Sequence, residues 1–257
     1  MAKARRHDSS KHASFEKKRR YGCTLVAIAK NEGRYIAEWI AYHLSVGIDR
    51  ICVYVNDSSD STAPLVGKLS RYYPVRLVVW PSADRKSPQL EAYNDALTRF
   101  ADTNWMGFWD IDEFIVPFGY KDVPDFLTRV PEGTSAIGVN TRSFGSSGVT
   151  DPEYHSVLHT FRHCARPEHH ANRHIKTLVR PKAVRRMRIH HAVTRLGQSL
   201  TAVSNRWSWL YPARRLKRSI TACKSTITKS KPESNMRPAG EKETPTSTPR
   251  IHLTSDE

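Results

Sequence analysis

The sequence has few cysteines, no long apolar run and no glycine-rich phosphate loop. Its four cysteines, Cys23, Cys52, Cys164 and Cys223, lie far apart without a C-x-x-C pair. That spacing disfavours a disulfide framework and a thiolate metal site. No stretch approaches the roughly 18 apolar residues of a membrane-spanning helix, and no apolar segment follows the basic N-terminus as in a secretory signal. We therefore expect a cytoplasmic protein.

Acidic side chains are scarce outside one central region. The formal net charge is +16, yet residues 21–154 carry 12 basic and 17 acidic groups, whereas residues 155–191 carry 9 and 1. Residues 192–232 contain no acidic residue. An acidic body with basic flanks does not fit a uniformly basic nucleic-acid-binding protein. Basic flanks suit solvated tails or a peripheral contact with an anionic membrane.

Composition divides the chain into four segments. We predict a disordered basic tail over residues 1–20 and an ordered α/β domain over residues 21–191. A basic segment of unassigned structure follows over residues 192–228, and a second disordered tail over residues 229–257, where Lys, Pro, Ser, Thr and Glu dominate.

Short apolar runs alternate with helical patterns from residue 21 onward. Strands are predicted at 23–29, 51–55, 75–80, 105–109 and 136–140, and helices at 34–46, 62–70 and 88–100. This alternation predicts an α/β fold, a Rossmann-like, mostly parallel twisted sheet with helices on both faces. Because ligands of such sheets bind beyond the carboxyl ends of the strands, the residues after each strand are candidates for a site.

Polar clusters follow three of these strands, at residues 30–32, 56–61 and 110–113. Residues 56–61 also suit a plain turn that caps the next helix. Asp110 and Asp112 are two residues apart, and on an extended segment their carboxylates face the same way. Such a pair can hold Mg²⁺ or Mn²⁺, which prefer oxygen ligands. Glu113, by the same argument, is expected to point to the opposite face.

Four blocks of sequence resemble the family 2 glycosyltransferases, and more closely the branch related to family 92. They lie at residues 26–47, 51–62, 105–114, and 144–148 together with 176–181. The resemblance implies a GT-A fold with a D-x-D motif, a nucleoside-diphosphate sugar donor and a Mn²⁺ or Mg²⁺ cofactor. It further implies an inverting glycosyltransferase domain over residues 21–191, acting on a glycan or lipid-linked acceptor, as in polysaccharide biosynthesis.

The resemblance also assigns roles to individual residues. Around the donor it places Asn31, Glu32, Asp57, Gln89, Asn94, Asp110, Lys176 and Arg180. Lys176 and Arg180 would contact the diphosphate or the acceptor, although a solvated basic strand is the alternative. Asp112 would ligate the metal together with Asp110, and His191 or its neighbour His190 would complete the metal shell.

Three carboxylates are candidates for the general base that deprotonates the acceptor hydroxyl, namely Asp151, Glu153 and Glu168. Phe144–Gly148 suits an acceptor-side loop, or an ordinary flexible loop. Two other functions stay open: a non-enzymatic α/β module whose basic flanks bind nucleic acid or anionic membrane, and a nucleotidyltransferase. The absence of a glycine-rich phosphate loop disfavours the nucleotidyltransferase.

Overall fold

The computed structural model describes residues 21–146, 156–166, 169–195, 197–202 and 221–225. The strands are β1 Tyr21–Ala29, β2 Arg50–Val55, β3 Val75–Val79, β4 Thr103–Phe108, β5 Glu113–Val116, β6 Thr134–Phe144, β7 Ile175–Val179, β8 Val184–Met187, β9 Ala192–Thr194, β10 Gln198–Ala202 and β11 Thr221–Ser225. The helices are α1 Ile36–Ser45, α2 Thr62–Leu69, α3 Pro88–Arg99, α4 Val123–Thr128 and the single turn α5 Val157–Thr160. Short 3-10 turns lie at His170–Arg173 and Pro181–Ala183.

Nine strands form one mixed sheet in the order β3-β2-β1-β4-β7-β6-β11-β5, with β10 also paired to β6. The first four strands run parallel. β7 then runs antiparallel to both β4 and β6, and β5 runs antiparallel to β11. β8 and β9 form a separate hairpin. The predicted α/β class with a mostly parallel sheet is confirmed, and the antiparallel strands are additions to it.

The sheet is buried on both faces because its strands are continuous apolar runs, whose side chains point alternately to one face and to the other. Leu25 and Ile51 pack on one face with α1, α2 and α4, whereas Val26 and Cys52 pack on the other face with α3 and the β8–β9 hairpin. Residues two apart on a strand share a face, so continuous apolar runs fill both layers. Gly47 ends α1 as the sequence predicts, with a φ of +93° that favours glycine.

The ordered fold continues past the predicted boundary at residue 191. β10 and β11 pair with β6 in the main sheet, and β9 completes the hairpin with β8. Residues 192–228, expected to be of unassigned structure, therefore contribute three strands. The two predicted tails, 1–20 and 229–257, lie outside the described residues. Within the described part of the chain, no helix is long and apolar enough to cross a membrane.

Candidate active site

A tight turn joins β4 to β5 and gathers three carboxylates. The N–H of Glu113 donates to the carbonyl oxygen of Asp110 at 3.1 Å, and the N–H of Asp110 donates to Oε2 of Glu113 at 3.2 Å. One carboxylate oxygen from each of Asp110, Asp112 and Glu113 lies within 4.8 Å of the other two. Asp110 and Asp112 are half-buried, and Glu113 is 1% exposed.

The turn corrects the expectation for Glu113. That residue was predicted to point away from the aspartates, on the assumption that residues 110–113 are extended. The bond from residue 113 back to residue 110 instead folds the segment, so residues three apart converge. The prediction was wrong because a strand pattern of alternating faces does not hold within a turn. The signal available in the sequence was the D-x-D-E string itself, followed at once by a second apolar run.

Helix α1 fixes the main chain of β5. The indole N–H of Trp39 donates to the carbonyl oxygen of Glu113 at 2.8 Å, and the hydroxyl of Tyr42 donates to that of Ile115 at 2.8 Å. The N–H of Ile115 donates to Nε2 of His43 at 3.2 Å. Burial lowers the pKa of His43 to about 3, so its ring is neutral and can accept this bond. Three side chains of one helix therefore hold the strand that begins at Glu113.

Lys176 brings a buried cation to the carboxylates. Its strand, β7, runs antiparallel to β4 with Thr177 opposite Phe108, which places Lys176 at the carboxyl end of β4. Nζ lies 2.6 Å from Oδ2 of Asp110 and 2.7 Å from Oε2 of Glu113, and the side chain is 5% exposed. The lysine thus bridges two of the three acids.

Burial and neighbouring charges shift the pKa values of Glu113 and Lys176. Burial raises the pKa of Glu113 to about 7, with Asp110 and Asp112 adding to the rise and Lys176 opposing it. Burial alone would lower the pKa of Lys176, but Glu113 and Asp110 raise it on balance. The lysine is therefore charged at neutral pH, while Glu113 titrates near neutrality.

Helix α3 supports Asp110 from the other face of the sheet. The side-chain amide of Gln89 donates to Oδ1 of Asp110 at 3.1 Å, and the Tyr93 hydroxyl lies 3.4 Å from the same oxygen. Burial, followed by the charge of Asp110, raises the pKa of Tyr93 well above its usual range, so this hydroxyl stays protonated. The structure thus brings Gln89 to the acidic group.

Asn94 binds the main chain of two neighbouring elements. Its Nδ2 donates to the carbonyl oxygens of Leu90 at 2.7 Å and Met187 at 3.2 Å, and its Oδ1 accepts from the N–H of Met187 at 2.9 Å. Both ends of the amide therefore bind main chain and tie α3 to β8. From the resemblance we expect Asn94 to line the donor pocket, and these contacts are those of a residue that links two elements.

The loops after β1 and β2 interlock at the same edge of the sheet. Oδ1 of Asn31 accepts from the N–H of Ser59 at 2.9 Å, and the N–H of Asn31 donates to Ser58 Oγ at 3.0 Å. The N–H of Glu32 donates to Oγ1 of Thr62 at 2.8 Å. Asn31 has a φ of +57°, a left-handed conformation that asparagine tolerates better than most residues. The two loops therefore form one surface.

Asp57 does not cap α2. Its Oδ2 accepts from the N–H of Ser82 at 3.0 Å and from the Ser82 hydroxyl, which ties the loop after β2 to the loop after β3. The local role belongs to Asp60, whose carboxylate accepts from the N–H groups of Thr62 and Gly33 at 2.9 Å each. For Asp57 itself, the hydrogen bonds from the hydroxyl and the N–H of Ser82 lower the pKa of the carboxyl group. Asp57 is thereby left as an exposed, charged group at the strand ends.

Arg180 and His191 lie apart from the acidic group. Arg180 directly follows β7, four positions after Lys176, and its guanidinium stacks on the Trp105 ring at 4.3 Å, so it faces the amino end of β4. His191 is exposed in the turn between β8 and β9, and the group of described residues able to hold a metal contains no histidine. From the resemblance we expect Arg180 beside Lys176 and His191 beside Asp112. The structure brings neither residue to the acidic group. Asp151, Glu153, Glu168 and residues 147–148 lie outside the described residues.

The acidic group fits a divalent cation. Its donors are carboxylate oxygens, the ligands that Mg²⁺ and Mn²⁺ prefer. With Glu113 ionised, Lys176 compensates one of three negative charges and leaves two, which matches the charge of such an ion. The fold and this group together define an α/β protein with an acidic site at the carboxyl ends of parallel strands.

Comparison with known proteins gives the family. The sequence matches the family model of glycosyltransferase family 92 over residues 26–236, so the chain belongs to that family. A family 92 protein of Oryza sativa subsp. japonica is 32% identical over 167 residues, which cover 63% of this chain and 27% of that protein. One from Arabidopsis thaliana is 30% identical over 62% of this chain and 28% of its own length. The chain thus spans less than a third of these relatives.

Solved structures of glycosyltransferases are similar over about half of the chain. S. aureus TarS in complex with UDP has 18% identity and a TM-score of 0.38, covering 51% of this chain and 38% of that one. The mannosyltransferase PcManGT from Pyrobaculum calidifontis, in complex with GDP-Man and Mn²⁺, has 18% identity and a TM-score of 0.37, covering 48% and 36%.

Proposed function

We propose that the chain is the nucleotide-sugar-binding part of a glycosyltransferase that uses Mn²⁺ or Mg²⁺ held by Asp110, Asp112 and Glu113. One observation carries the proposal: three carboxylate oxygens within 4.8 Å of one another follow a central parallel strand of a family 92 chain. Such an ion, when bound, supplies Lewis-acid stabilisation of the departing diphosphate.

The residues around the acidic group prepare it for this role. Gln89 and Tyr93 occupy Oδ1 of Asp110, and Lys176 occupies its Oδ2, so the carboxylate is held in one orientation. Fixed ligands reduce the reorganisation needed when charge develops. Lys176 also places a positive charge beside the position of a donor diphosphate. Asp57, exposed at the neighbouring strand end, is proposed to contact the donor nucleoside.

The reaction we propose is a single displacement with inversion at the anomeric carbon, onto a hydroxyl of a glycan or a lipid-linked acceptor. A general base removes the proton of that hydroxyl. Asp151, Glu153 and Glu168 stay candidates for it. NMR assignment of the product anomer against the donor anomer tests the stereochemistry directly.

Metal-dependent donor binding is the primary test. Thermal shift with UDP and GDP, each with Mn²⁺ or with EDTA, should show an additional upward shift in melting temperature when Mn²⁺ accompanies the nucleotide. Asp112→Asn should abolish that shift, and Glu132→Gln, which removes an exposed charge in the turn before β6, should retain it. An equal nucleotide shift in EDTA, or full retention in Asp112→Asn, would refute the metal site.

A further inference from the structure

A cavity opens at the amino end of β4, at the opposite end of that strand from the carboxylates. It encloses about 480 Å³ and is lined by Thr103, Asn104, Arg180, Pro181, Lys182, Ala183 and Arg195. Asn104 precedes Asp110 by six residues along an extended path, which corresponds to about 20 Å. The cavity is therefore separate from the acidic site, and its size is within the range of small-ligand pockets.

Three cations surround this cavity without acidic partners. Among the residues that the structure describes, no carboxylate pairs with Arg180, Lys182 or Arg195. Asp102 precedes Thr103 of the cavity wall in the sequence, but its carboxylate is paired with the guanidinium of Arg50 at 2.6 Å. Uncompensated cations around one concave surface attract an anion.

Arg180 is held in place before any ligand arrives. Its Nε donates to the carbonyl oxygen of Thr134 at 3.0 Å, and its guanidinium stacks on Trp105 at 4.3 Å. The two Nη atoms make no hydrogen bond to the described residues, so they are available for a forked contact with an oxyanion. Asn104 is half-buried and offers a side-chain amide at the same cavity.

The geometry points to a second ligand site in this cavity, which binds a phosphate or diphosphate group through Arg180, Lys182, Arg195 and Asn104. A guanidinium fork with two ammonium or guanidinium neighbours is suited to phosphate, because a dianion can use several charged donors at once. Pro181 and Ala183 supply an apolar wall against which the rest of the ligand packs. The site needs neither a metal nor the sugar transfer proposed above.

Inorganic pyrophosphate in EDTA is the probe, because EDTA removes metal-bridged binding at the carboxylates. Isothermal titration should detect binding to the full chain. Lys182→Ser/Arg195→Ser should weaken it at least about tenfold, the effect of losing charged contacts of ordinary strength. Arg185→Ser/Arg186→Ser is the matched control, since it removes two exposed cations from β8, outside the cavity, with the same change in net charge.

Equal weakening of pyrophosphate binding in both double variants would show a general charge effect and overturn the site. The site would also be overturned if the chain bound neither pyrophosphate nor vesicles that contain phosphatidic acid. Arg180→Lys is an independent test, because it keeps the charge but removes the two Nη donors. It should weaken pyrophosphate binding, and the melting temperature of the free protein shows whether the variant is folded. Unchanged affinity in a folded Arg180→Lys protein would exclude the forked contact.

The phosphate could belong to a soluble molecule or to a lipid headgroup. Vesicles of phosphatidylcholine, with and without phosphatidic acid, distinguish these sources in a flotation assay. Binding to phosphatidic acid vesicles that is lost in Lys182→Ser/Arg195→Ser and kept in Arg185→Ser/Arg186→Ser identifies a headgroup site. Pyrophosphate binding with no selective vesicle binding identifies a soluble phosphate ligand.

Discussion

The indole N–H of Trp39 donates to the carbonyl oxygen of Glu113 at 2.8 Å, across 74 residues of sequence. Both residues are fully buried. The bond joins the first helix after β1 to the first residue of β5, and so it connects the packing of one face of the sheet to the position of a carboxylate in the acidic group.

Trp39→Phe should keep the aromatic packing and lose this bond. The Glu113 carbonyl then stays buried without that donor, which costs about 1–3 kcal/mol of unfolding free energy. Because the strand that carries Glu113 is freed to shift, Mn²⁺ affinity should also fall. Tyr54→Phe is the control: it removes the hydroxyl bond to Asp95 on the opposite face and should lower stability without affecting Mn²⁺ affinity. Urea unfolding and Mn²⁺ titration on both variants measure the two effects.

The pairing of Lys176 with Glu113 predicts a pH-dependent mutant phenotype. The folded pKa of Glu113, about 7, lies above its ordinary 4.5, so its contribution to stability is complete below about pH 4.5 and is lost as pH rises through 7. Lys176→Met removes the cation that limits this loss. It should cost about 3–5 kcal/mol at pH 8, where a buried carboxylate is left unpaired, and clearly less at pH 5.5.

The double variant Lys176→Met/Glu113→Gln checks the cause of that phenotype. It should regain much of the stability at pH 8 and show a flatter pH dependence, since no buried charge is left at this pair. An equal loss at pH 5.5 and pH 8 in Lys176→Met would mean that packing, and not charge, explains the destabilisation.

His43 predicts the opposite slope at acid pH. Its pKa falls from 6.5 to about 3 on folding, so the unfolded chain takes up a proton that the folded chain refuses. The contribution of His43 to the free energy of unfolding is fully present above pH 6.5. It falls by about 1.4 kcal/mol per pH unit as the pH drops toward 3. His43→Gln should flatten this limb of the stability curve.

Asp57 and Asp60 should separate ligand binding from folding. Asp57→Asn keeps a residue that tolerates the φ of +43° but removes the charge. If Asp57 contacts the donor, nucleoside-diphosphate affinity should fall about tenfold with little loss of stability. Asp60→Ala should lose about 0.5–2 kcal/mol of stability, because Asp60 binds the first turn of α2. Unchanged affinity in Asp57→Asn would remove that residue from the site.

Local patterns in the sequence were sufficient for the central strands and helices. β2 was expected at 51–55 and is Arg50–Val55, and α3 was expected at 88–100 and is Pro88–Arg99. β2 is defined by a continuous apolar run, and α3 by apolar periodicity and a proline in its first turn; these signals act within a few residues. The same reasoning located Asp110 and Asp112 at a strand end.

Long-range pairing explains what the sequence could not predict. The resemblance assigns Lys176 and Arg180 to the same contacts, but on a strand four residues span about 13 Å. Since β7 runs antiparallel to β4, one of the two meets the carboxyl end of β4 and the other its amino end. Nothing local specifies that direction.

The antiparallel insertion of β7 also dictates an order of assembly. The acidic turn is synthesised 66 residues before Lys176, and β7 docks between β4 and β6, two strands that are not neighbours in the sequence. A nascent chain that ends before residue 176 therefore carries the carboxylates without their cation. Lys176 reaches Asp110 and Glu113 only when β7 pairs with β4, so closure of the sheet centre and compensation of one carboxylate charge occur together.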